Sequence, residues 1–231
     1  MLTRLLIAGL SGYFYGKSAA DPARRANLFA SLALQEAEGS RSLERIREAK
    51  AAEIPGWLDD QLVRHIGDEA RHARILRRAV ALEGMQIDEE SQAARRAIAS
   101  LGEGSLKRFH QSETLEEVPL ANLLAGVLVA ELAGVRAFRV ILRSVPETLT
   151  TTRSGLASIL ADEERHVRYL SDALRRLGRL RLVEEYGRRI EGQIFQDFGR
   201  VWQFLTTPNR ERPVLVKPGT GEEALLSPPT P

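Results

Sequence analysis

The sequence predicts an all-α protein, and three observations carry that prediction. Apolar residues recur at helical spacing over several long segments, and no alternating strand pattern bounded by turn residues occurs. Prolines 22, 55, 119 and 146 fall where those segments begin or end.

Residues 1–20 hold a short apolar stretch, Leu5 to Leu10, soon broken by Ser11, Gly12 and Tyr13. That is too short a run for a convincing export signal. An arm or short helix packed on the domain, or lying on a membrane surface, is expected. Asp21-Pro22 then starts a helix, a capping side chain followed by proline at the first helical position. It runs through Leu28, Leu32, Leu34, Leu43 and Ile46 to about Ala52. Pro55 opens a second, through Trp57, Leu62, Ile66, Ile75 and Leu82 to a stop at Gly84. Residues 87–112 are polar and predict a shorter helix with loops. A third long helix is expected from about Leu115 to Val145, a fourth from Thr148 to Gly178, and a fifth from Arg181 to Leu205. The fifth carries Tyr186, Ile190, Ile194, Phe198 and Trp202 at four-residue spacing, a core-facing stripe. Six of the ten prolines follow Thr207, so residues 207–231 read as an extended or disordered tail, removable without loss of fold. Residues 21–206 are then the helical domain.

Apolar content of 43% and charged content of 28% are those of a globular protein. The net charge is only +2, and with four lysines nearly all the basic residues are arginine. This reads as base-composition bias, and nucleic acid is not an expected partner. Val118 to Val135 is long and apolar, but Asn122 and Glu131 inside it argue for a buried helix and against a transmembrane span. Cysteine is absent, which removes disulfides, thiolate catalysis and thiolate metal sites. A cysteine-free chain suits any redox compartment; a cytoplasmic protein is expected.

A five-residue string occurs twice, 94 residues apart: Asp68-Glu69-Ala70-Arg71-His72 and Asp162-Glu163-Glu164-Arg165-His166. Each copy sets Glu and His on one face of a helix. A duplicated Glu-x-x-His is how a four-helix bundle holds two metal ions, with one further carboxylate from each of the other two helices. Glu131, alone in an apolar run, is the candidate from the third helix; burying it unpaired would cost several kcal/mol. The first helix offers Glu36 or Glu38. The repeat selects Glu36, because Glu36-x-x-Gly39-x-Arg41 lies over Glu131-x-x-Gly134-x-Arg136 at an offset of 95. The proposed ligands are therefore Glu36, Glu69, His72, Glu131, Glu163 and His166. Their four carboxylates match two divalent cations, and so oxygen-rich a set suits iron or manganese better than zinc or copper. Asp68 and Asp162 are candidates to accept from the outer nitrogen of a metal-bound imidazole, across the bundle, with Arg71 and Arg165 neutralising them. His65 lies one turn before Glu69, but its counterpart is Ile159, so it reads as an ordinary core or surface histidine. Tyr169 reads as packing, and His110 as solvated.

The ordered pattern Glu, Glu-x-x-His, Glu, Glu-x-x-His resembles the ferritin-like carboxylate-bridged diiron superfamily over residues 25 to 175, with all six ligand positions filled. The Asp-Glu-x-Arg-His form is similar to that of the oxygen-activating branch, such as the bacterial multicomponent monooxygenases. The resemblance implies a ferritin-like four-helix bundle, to which the residues themselves add an internal two-fold repeat, an additional C-terminal helix and a Pro-rich tail. It also implies two iron ions, with manganese or a mixed pair as the alternative. The expected activity is that of a diiron oxygenase or oxidase acting with O2 on a small or lipid-like molecule, with all six ligands catalytic. No flavin, nicotinamide or iron–sulfur motif is present, so an external electron donor is expected. The competing expectations are peroxide reduction or ferrous oxidation of rubrerythrin or ferritin type, and a tRNA-hydroxylase-like enzyme. A homodimer is compatible with the sequence.

Overall fold

Asp21 ends one helix and starts the next. In the computed structural model, which describes residues 2–101, 110, 112, 114–196 and 214–219, α1 (Leu2–Ala20) meets α2 (Pro22–Ala49) at this residue. The Asp21 carboxylate accepts from the Ala23 amide at 3.0 Å, satisfying one of the orphan donors of the first turn. The N-terminal segment is thus a 19-residue helix, longer than the arm or short helix the sequence suggests. It lies against the third long helix, where a Cβ on Gly16 would come 3.3 Å from Ser144 Oγ. Arg25, buried, donates from Nε and Nη2 to the Glu83 carboxylate at 2.6 and 3.1 Å and from Nη1 to the Ala19 carbonyl at 3.3 Å, fastening this end.

Helix α3 (Gly56–Leu82) follows Pro55 and stops before Gly84, whose φ of +73° is one that glycine adopts without strain. A crossover holding β1 (Met85–Ile87) and α4 (Gln92–Leu101) leads to α5 (Leu120–Ser144). The sequence puts the start of α5 near Leu115; instead Leu115–Glu117 form a turn and Pro119, with no amide hydrogen to give, caps the helix. Its last carbonyls are met by Arg153, whose Nη1 donates to Leu142 and Val145 at 2.8 Å each, a cation at the negative end of the helix dipole. Helix α6 (Thr150–Arg176) and α7 (Leu182–Gln196) complete the helical part. The aromatic stripe beyond Tyr186 lies outside the described side chains.

Two corrections concern β structure and the tail. Residues 216–218 form a strand, β2 (Val216–Pro218), antiparallel to β1 with Gln86 opposite Lys217. Strands of three residues are too short to leave an alternating signature in sequence. Leu215 is buried in the core, and its amide donates to Asn27 Oδ1 at 2.6 Å, so this part of the tail is extended but packed. The rest of the tail lies outside the described residues.

The protein is mostly helical, and beside a small apolar cluster of Ile46, Val118 and Leu123 its core among the described residues holds two large ones. One gathers Phe29, Leu34, Leu76, Phe138, Ile141 and Leu156; the other gathers Leu43, Leu62, Leu124, Leu128, Leu170 and Tyr186. Helices α2 and α6 run from the first cluster to the second, while α3 and α5 run from the second to the first. Each helix places its buried acidic or imidazole residues between the two clusters. Among the described residues no helix is long and apolar enough to cross a membrane.

Candidate metal centre

Four helices each turn one short acidic or imidazole-bearing segment into the gap between the apolar clusters. Helix α2 gives Glu36, α3 gives His65, Glu69 and His72, α5 gives Glu131, and α6 gives Glu163 and His166; all seven are buried. All six ligands expected from the sequence are brought together. Glu38 is also buried but faces away, receiving hydrogen bonds from Arg41 at 2.9 Å and Arg45 at 2.7 Å.

The seven side chains fall into two groups that could each hold a metal ion, with ligand atoms within 4.8 Å of one another: Glu36, Glu69, His72 and Glu163, and His65, Glu69, Glu131 and His166. Glu69 belongs to both. In the first group His72 Nδ1 lies 3.2 Å from Glu36 Oε2 and 3.4 Å from Glu163 Oε1. In the second, His166 Nδ1 lies 3.3 Å from Glu131 Oε2, and His65 Nε2 lies 3.2 Å from Glu69 Oε1 and 3.4 Å from Glu131 Oε1.

The outer nitrogens are engaged across the α3/α6 seam. His72 Nε2 is 3.3 Å from Asp162 Oδ2 and His166 Nε2 is 3.3 Å from Asp68 Oδ2, a reciprocal exchange that fixes both rings with Nδ1 pointing inward. Arg165 donates to Asp68 at 2.6 Å and also to Asp162, while Arg71 donates to Asp162 and stands 3.7 Å from Asp68. Burial pushes the Asp68 carboxyl up, but His166 and Arg165 together outweigh it and hold it below the usual carboxylate range.

The glycines of the repeat have a steric reason. A Cβ on Gly39 would sit 2.8 Å from Glu69 Oε2, and one on Gly134 would sit 2.5 Å from Glu163 Oε2. Each Glu-x-x-Gly therefore supplies one carboxylate and clears space for the carboxylate of the neighbouring helix.

Two expectations need correction. His65 is not an ordinary core or surface histidine: its ring stacks on that of His166 at 3.6 Å, and its Nε2 joins the carboxylates. Tyr169 is not plain packing either, since its hydroxyl lies 2.7 Å from His65 Nδ1. The cue was the His65–Glu69 spacing of one helical turn, which the Ile159 counterpart overrode. Away from this centre, His110 is half-buried and its Nδ1 lies 3.0 Å from the Tyr186 hydroxyl; burial lowers its pKa. Leu124, Leu128 and Tyr186 are packed in the core.

The electrostatics ask for cations. Burial, then the Glu69 charge, push the Glu36 carboxyl up to about 8 against the pull of His72. Glu163 is likewise raised to about 8 by burial, with Glu131 and Glu36 adding to it. Glu69 is raised well above the usual range by burial and then by the charges of Glu131 and Glu163. Burial also pushes Glu131 up, but the hydrogen bonds and charges of His166 and His65 outweigh it and hold that carboxyl low. Four buried carboxyl groups that cannot all ionise together without a counter-charge, faced by imidazoles whose outer nitrogens are already engaged, form a donor set that fits divalent metal.

No family model, curated protein or solved structure matches this chain.

Proposed function

We propose that the chain is a ferritin-like diiron oxidoreductase that uses O2 to oxidise a small or lipid-like substrate. The observation that carries this is the pair of buried four-ligand groups joined at Glu69. The antiparallel pairs α2/α3 and α5/α6, joined by a crossover that leaves α3 and α5 running the same way, fit the ferritin-like connection. The sequence repeat relating the pairs fits it too. Oxygen-rich donors favour iron or manganese over zinc or copper; iron and the substrate class follow from the family resemblance.

When bound, a ferrous pair supplies the two-site electron transfer that reduces O2. The chain's own residues prepare that chemistry. Glu36, Glu69, Glu131 and Glu163 neutralise four positive charges. Asp162 and Asp68 hold His72 and His166 so that each presents Nδ1 to the centre. The apolar clusters above and below keep bulk water from the gap. At neutral pH the metal-free centre keeps protons on Glu36 and Glu163, so loading releases protons. Inserting one oxygen atom of O2 into a substrate and releasing the other as water takes two electrons and two protons from outside, hence an external reductant.

The test is anaerobic ferrous loading of metal-free protein followed by rapid mixing with O2, with iron content, oxygen consumption and visible absorbance recorded. About two irons per chain and fast oxygen uptake are expected from the dinuclear reading. Two irons without oxygen uptake would transfer the proposal to manganese or to peroxide reduction, and failure to retain iron would sink it.

A further inference from the structure

We propose that His65 makes the two metal positions unequal, so that the position beside Glu131 fills first and holds its ion while the position beside Glu36 fills later and exchanges. The inference rests on the dinuclear reading above and concerns what the repeat does not duplicate. The position of His65 is occupied in the second half by Ile159, fully buried in an apolar cluster. Two imidazoles and two carboxylates therefore surround one position, against one imidazole and three carboxylates at the other.

The His65 ring is set up as the other two are. Its Nε2 faces Glu69 Oε1 and Glu131 Oε1, and its Nδ1 is held by the Tyr169 hydroxyl at 2.7 Å. A ring with one nitrogen among carboxylates and the other anchored outside has the orientation of a metal ligand fixed in advance. Stacking on His166 at 3.6 Å restrains it further. Added nitrogen strengthens binding most for ions late in the Irving–Williams order, and least for Mn²⁺, which prefers oxygen. The position beside Glu131 should thus select the later ion of any mixed pair.

The experiment is titration of the metal-free full chain with Co²⁺, following heat and the visible d–d absorption that reports nitrogen ligation. Wild type should bind two ions in steps separated by at least ~10-fold, with the stronger spectrum in the first. His65→Ile, which copies the second half, should keep two ions and weaken the position beside Glu131 by ~100-fold or more, so that it no longer fills first. Loss of a ligand should cost at least what loss of a ligand's outer partner costs, ~10–100-fold. Tyr169→Phe, which leaves the ring in place, should weaken the first step by ~10-fold and leave the second unchanged. Should His65→Ile not fold by circular dichroism, His65→Gln and Tyr169→Phe carry the test, and unaltered first steps in both would overturn it. Two equal steps in wild type, or a first step of unaltered affinity and spectrum in His65→Ile, would overturn the inequality and leave the dinuclear centre standing. No Co²⁺ bound by wild type would overturn both.

Discussion

Glu36 and Glu131 occupy matching places in the two halves of the molecule, yet their carboxyls behave in opposite ways. Glu36 meets one imidazole and is pushed up to about 8 by burial and by Glu69; Glu131 meets two, and they hold it low against the same burial. The spacing in sequence is shared. His65, whose counterpart in sequence is Ile159, supplies the second imidazole beside Glu131. Two matching strings can thus keep the same acidic and imidazole residues and still meet different surroundings, through one residue that is not itself part of the repeated string.

The most severe way to break the comparison is at Glu69, the residue both groups share. Glu69→Ala should abolish stoichiometric metal at both positions, whereas Glu36→Ala and Glu131→Ala should each leave about one ion per chain, as the shared-ligand scheme requires. Metal content after gel filtration checks this, and unchanged stoichiometry in Glu131→Ala would remove that residue from the centre.

The glycines sharpen the comparison next. Gly39→Ala thrusts a methyl at Glu69 and Gly134→Ala at Glu163, so the first should lower occupancy at both positions and the second at one. Overpacking of this kind costs ~1–3 kcal/mol. Parallel calorimetric titrations of the two variants would show whether their effects differ.

Protonation gives a third, smaller contrast. The folded-state pKa of Glu36 and of Glu163 lies above the ordinary value of 4.5, at about 8, so their protonated forms favour folding. That contribution is complete below about 4.5 and is lost as pH rises through about 8. His72, also raised despite its burial because Glu163 and Glu36 face it, acts in the same direction. Glu131 and Asp68 are lowered and change nothing in this window. Metal-free protein should therefore melt at least ~5 °C lower at pH 9 than at pH 7, and bound metal should flatten the slope by replacing the protons. A melting temperature that rises with pH would contradict the assignment.

The smallest effect serves as a control on all three. Truncation after Thr207 removes Leu215 and β2, which touch α2 and the crossover and neither group of ligands. Burial of one leucine predicts a loss of ~2 kcal/mol, with both metal affinities unchanged. Melting curves and a metal titration on the truncated chain would decide.

Much of the helical architecture is legible in the sequence because prolines 22, 55, 119 and 146 punctuate it and the buried faces are periodic. The site was legible through repetition: the offset between copies singles out Glu36 over Glu38, and the structure turns Glu36 toward His72 and Glu38 toward two surface arginines. Repetition also hides His65, since its counterpart in the second half is the apolar Ile159. Gly39 and Gly134 could be read as a shared pattern, but their reason, the carboxylate of another helix, exists only once the helices pack. The β1/β2 pairing joins segments about 130 residues apart through strands of three residues, which no local pattern announces.

The lattice of Asp68, Asp162, Arg71 and Arg165 also bears on how an ion would come and go. It stitches α3 to α6 beneath the imidazoles, whereas α2 and α5 reach the centre through one carboxylate apiece. Loss of either arginine from the lattice would loosen a carboxylate that orients an imidazole, so the hold on an ion would be set in part from outside both groups of side chains.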